Sequence, residues 1–121
     1  MPCFNLKGQL MFKITCNVAT QTNIFYLATV NQGDIEKVAS VLANNLSFDD
    51  KHTQPVVSSI DKTDTPGTPL FEYLGVETLS LEPEKELNHR TSLHQQGFLT
   101  GAIYNIKEKS TSLYKFKVVK D

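Results

Sequence analysis

One stretch of this chain repeats its apolar residues with the period of an α-helix, and it limits what the remainder can build. In "DIEKVASVLANN", Ile35, Val38, Val41 and Leu42 recur at helical spacing, with Ala39 and Ala43 beside them. The pattern predicts a helix with one apolar stripe. Asp34 is placed to cap it and Glu36 to meet the positive end of the helix dipole. A capping box is absent, because Lys37 occupies the third position. Asn44 and Asn45 are expected to fray the far end.

Most of the other segments read as strands. "MFKITCNV" alternates, with Phe12, Ile14, Cys16 and Val18 on one face and Lys13, Thr15 and Asn17 on the other. "IFYLATV" is apolar on both faces, as a central strand would be. Between them "ATQTN" reads as a turn, making a hairpin. "PVVSSI" is a strand opened by Pro55, where a strand tolerates proline. "DKTDTPGTP" is a loop in which Pro66-Gly67 suits a type II turn. "LFEYLGVETLSL" is one long strand bent or bulged at Gly75, or two short ones. "FLTGAIYNIK" and "SLYKFKVV" form a last hairpin around "EKSTS". There Tyr114, Phe116 and Val118 share one face and Lys115 and Lys117 the other.

The stretch "EPEKELNHRTSLHQQ" is ambiguous. Pro83 suits a first helical turn, with Glu84 and Glu86 favourable there, yet only Leu87 and Leu93 give it an apolar side. The element order is therefore β-β-α-β-β-(α?)-β-β. Hairpins with one good helix cannot form a parallel doubly wound sheet. The expected fold is α+β: a single, mainly antiparallel, curved sheet of about six strands packed against one amphipathic helix. Residues 1–10 read as an N-terminal arm or extension and 11–121 as one α+β domain.

Composition restricts the function classes. With 40% apolar and 21% charged residues, the 121-residue chain can bury a core without disulfides or metal. No apolar run approaches the roughly 18 residues of a membrane span. Two cysteines, Cys3 and Cys16, and no secretory apolar region point to a reducing cytoplasm. A net charge of −1 and a single arginine, Arg90, argue against sequence-specific nucleic-acid recognition.

No catalytic or cofactor motif stands out, and neither a cofactor nor a bound metal is expected. His89 and His94 are five residues apart, so neither a helix nor a strand aims both at one ion. Arg90 is expected in a surface ion pair with Glu84 or Glu86. Candidate ligand or partner contacts are His89, Arg90, His94, Tyr73 and Tyr104. Lys107, Lys109, Lys115 and Lys117 form a basic surface, and lysines on a terminal strand also discourage edge-to-edge pairing. The segment from Glu72 to Glu86 is acidic and the one from Lys107 to Asp121 basic. These would make the molecule dipolar if apart and cancel if adjacent.

These readings rank the function classes. The leading expectation is a small cytoplasmic, non-catalytic binding protein, whose partner is another protein or a second copy met through a sheet edge. An accessory or immunity-like inhibitor would fit by analogy alone. A second expectation is a small-molecule binder or modest enzyme with a pocket between helix and sheet, reached by Tyr26, Tyr73, Tyr104, His89, His94 and Arg90. The third is single-stranded nucleic-acid binding by the Lys-rich hairpin.

Overall fold

The computed structural model describes residues 9–30, 33–46, 54–80 and 82–119. Cys3, His52 and the expected arm up to residue 8 lie outside the described residues. The chain forms β1 (Leu10–Val18), β2 (Gln21–Thr29), α1 (Ile35–Asn45), β3 (Val56–Lys62), β4 (Leu70–Leu79), α2 (Pro83–Gln95), β5 (Phe98–Asn105) and β6 (Ser110–Val119). This is an α+β fold: six strands in one sheet of order β3-β1-β2-β4-β6-β5, with two helices. Every pairing is antiparallel except β2 with β4.

That parallel seam joins two halves of the molecule and is short. Only Tyr26, Leu27 and Ala28 pair across it, with Leu70, Phe71 and Glu72. The α1 side of the sheet reinforces it. Phe25 meets Phe71 edge-on at 6.1 Å, and both lie in one buried cluster with Phe12, Ile14, Leu27, Tyr114 and Phe116. Val38, Ala39, Leu42 and Ala43 of α1 fill the same cluster. The helix also touches both edge strands, β3 and β5.

The second helix exists, and it lies on the opposite face. On β5, Thr100 bonds to α2 side chains, while a side chain at Gly101 would run into Val41 and Asn45 of α1. Adjacent residues of a strand point to opposite faces, so β5 is held between the two helices. The expectation of a sheet packed on one helix is corrected accordingly. The reason is that α2 docks through polar groups, which hydrophobic periodicity does not register.

Other expectations are corrected locally. The first hairpin turn is Ala19-Thr20 alone, not five residues, and Ala19 takes a positive φ of 55°. Asp34 stands at the start of α1 but with φ 62°, and its side chain caps nothing; its carbonyl takes the first helical bond, from Val38. Asn44 and Asn45 do not fray the helix: their amides donate to the Ser40 and Val41 carbonyls at 2.9 and 2.7 Å. Gly67 has no positive φ, so Pro66-Gly67 is not a type II turn. The 63–69 segment instead crosses the outer face of β1 and β2, with Gly67 against the Tyr26 ring, and Pro69 accepts a hydrogen bond from the Tyr26 amide at 2.8 Å. The last turn is Ile106–Lys109, earlier than "EKSTS".

Two readings hold in detail. β4 is one strand with a bulge between Tyr73 and Gly75, where Gly75 adopts φ 121°. Tyr114 and Phe116 turn inward and are buried.

Ala19 generates the first prediction. A side chain in the left-handed region is strained, and glycine removes that strain. Ala19→Gly is expected to raise stability by about 0.5–1 kcal/mol, read as a higher urea midpoint with unchanged slope.

Candidate functional site

The stretch around the histidines is α2, and its side chains are committed to holding it down. Pro83 begins it, with Glu84 and Glu86 in the first turn. Leu93 is its one buried residue. Four polar anchors supplement that contact. Glu86 accepts a bond from the Thr111 hydroxyl at 3.1 Å. His89 Nε2 lies within hydrogen-bonding distance of Glu77, 3.2 Å from Oε1. Arg90 Nε donates to Thr100 Oγ1 at 3.4 Å, and His94 Nε2 lies 2.8 Å from the same oxygen. Arg90 and His94 are four apart, so one helix face presents both to Thr100. The expected ion pair of Arg90 with Glu84 or Glu86 is replaced by this contact, because Glu86 faces β6 instead.

The two histidines are separated as their spacing required. His89 reaches β4 and His94 reaches β5, with β6 between, about 10 Å apart. Among the described residues no group of three or more His, Cys, Asp or Glu is arranged to hold a metal.

The remaining candidates divide between the faces. Tyr73 lies on the α1 face, stacked 6.3 Å from Tyr114 and 5.5 Å from Phe116. Tyr104, in register with Thr111, lies on the α2 face and is exposed. The structure therefore does not bring the tyrosines and histidines to one pocket. Lys107 and Lys109 sit at the β5–β6 turn. Lys115 and Lys117 lie along the middle of β6, and Lys115 caps the Phe98 ring at 5.1 Å. β6 is an inner strand, so these lysines guard no edge; the sheet edges are β3 and β5. Lys117 pairs in register with Glu72, which sets the acidic and basic segments side by side rather than apart.

A second place was not evident from the candidate residues. Between α1 and β5 runs an open groove of about 180 Å³, lined by Lys37, Ser40, Val41, Asn44, Asn45, Ala102 and Ile103. Beside it, residues 102–105 of β5 are exposed on the edge of the sheet. Glycine at 101 lets α1 approach the strand just before this point. The legible signal was the run "FLTGAIYNI", residues 98–106, which holds no charge and no proline. Charge counting over longer segments hides it.

Among the described residues two groups have shifted acidity. Burial pushes the Cys16 thiol up, which keeps it unreactive. Burial, then Tyr114, then Asp34 push the Tyr73 hydroxyl up from its ordinary 10.0. Its neutral form is therefore favoured by folding. The associated stability is complete below pH 10.0 and is lost as pH rises through the raised value. Tyr73→Phe is expected to flatten the fall in melting temperature above pH 10.0, measured against wild type.

The α2 anchors generate another prediction. Thr100→Val keeps the shape but leaves Arg90 and His94 without their shared oxygen. We expect a loss of about 1–2 kcal/mol and faster amide exchange across Pro83–Gln95, with α1 unaffected.

Among the described residues no helix is long and apolar enough to cross a membrane. Comparison with protein-family models, curated protein sequences and solved structures gives no match to this chain.

Proposed function

We propose that this chain is a small, non-catalytic binding protein that engages a protein partner by strand addition at the outer edge of β5, which no other strand pairs among the described residues. One observation carries the reading: residues 102–105 of β5 leave backbone groups at an exposed, uncharged sheet edge, next to the α1 groove. An incoming extended segment gains main-chain hydrogen bonds from the edge and seats alternate side chains beside it. The two edges of the sheet differ in the way this reading requires. β3 carries Asp61 and Lys62 and is bulged opposite Thr15 and Cys16, features that discourage pairing. β5 carries neither. Exposed Ile103, Tyr104 and Ile106 supply apolar area on both sides of the strand and at its end. The buried free thiol of Cys16 goes with a reducing, cytoplasmic setting.

The test is photo-crosslinking in the source cell. A benzophenone side chain in place of Tyr104 is expected to give protein adducts that the same group in place of Thr22, on β2, does not. Equal labelling from both positions, or none from either, would remove the reading.

A further inference from the structure

The occupant of the β5 edge can be narrowed by charge and symmetry. From Phe98 to Ile106 the chain has no charged residue and no proline. Such a strand has nothing that selects a partner by charge, and nothing that repels its own copy. An exposed edge of this composition is also a template for uncontrolled pairing unless something covers it. Resting on the reading of β5 as a binding edge, we infer that the partner is a second copy of this chain, joined by antiparallel β5–β5 pairing about a two-fold axis.

The geometry of such a pair is restrictive. A two-fold axis normal to the sheet keeps each face on its own side, so α1-face residues meet α1-face residues. Directly opposed residues of antiparallel strands share a face, so one residue must lie opposite itself. Within the exposed stretch, Ile103 as that centre sets two isoleucines together beside the α1 grooves and places Ala102 opposite Tyr104 on the other face. Both are favourable cross-strand apolar pairs. The groove residues allow this approach: on its α1 side Lys37, Ser40, Val41, Asn44 and Asn45 line it, and of these Lys37 alone is charged. The pairing closes on itself and gives one continuous twelve-stranded sheet. Pairing of β5 with β3 of another copy would be head-to-tail and open-ended. It would also bring Asp61 and Lys62 against a strand without a countercharge.

The experiment is sedimentation equilibrium of the full chain from about 1 to about 300 µM, beside Ile103→Lys and Tyr104→Lys. Wild type is expected to approach twice 13.6 kDa, and each variant to associate at least about tenfold more weakly with an unchanged circular dichroism spectrum. In wild type, amide exchange in residues 102–105 is expected to slow with concentration while that of β3 does not. This second measurement decides the matter if a variant misfolds. A mass of 13.6 kDa throughout, a dimer indifferent to both lysines, or assemblies that keep growing would each overturn the inference. A monomer whose position 104 still crosslinks to a different protein leaves the binding edge intact and removes only self-pairing. A monomer with no adduct removes both.

Discussion

The apolar stripe of α1 is the contact on which the architecture depends. The β1–β2–β3 half meets the β4–β6–β5 half through three parallel residue pairs. Three pairs of backbone contacts cannot hold two half-sheets in one orientation against their conformational entropy. Val38, Ala39, Leu42 and Ala43 lie against side chains from both halves, among them Ile14, Phe25, Phe71 and Phe116. Burying a residue such as Leu42 stabilises by about 1.5–3 kcal/mol. The gain is shared between halves, so the seam and the helix form together.

The second helix is held by different physics. Its buried apolar surface is little more than Leu93, and its remaining attachments are Glu86–Thr111, His89–Glu77 and the Arg90–Thr100–His94 cluster. Each such bond contributes about 1 kcal/mol net. Together they fix the rotation of the helix on the sheet more than they stabilise it. The residues that looked most like a site in the sequence therefore have structural partners. The chain's only arginine and two of its three histidines anchor a helix to the sheet.

The two faces and two edges of the sheet have different fates. The two helices lie on opposite faces of β5, whereas the 63–69 segment crosses the outer face of β1 and β2. The β3 edge is bulged and charged, and the outer part of β5 is neither. Burial changes abruptly along β5, from Thr100 and Gly101, enclosed between the helices, to an exposed end after Gly101. A strand that leaves its cover without acquiring charges is the surface feature most in need of a partner.

The sequence by itself determined the local elements. Period 3.6 marked α1, period 2 marked β1 and β6, and Gly75 marked the bulge, because these depend on neighbours within a few residues. It also determined that Tyr114 and Phe116 face inward, since their alternation with Lys115 and Lys117 leaves one solvated side. It placed the turns poorly: Ala19 and Lys109 hold left-handed conformations that their residue types do not announce. Only the tertiary structure decided that β6 is an inner strand, that β2 and β4 run parallel, and that α2 lies across from α1. Those outcomes rest on contacts such as Thr100 with His94 and Leu27 with Phe71, between elements whose faces were legible but whose partners were not. A strand's alternation fixes which side is buried; which strands lie beside it depends on how the whole sheet closes over α1.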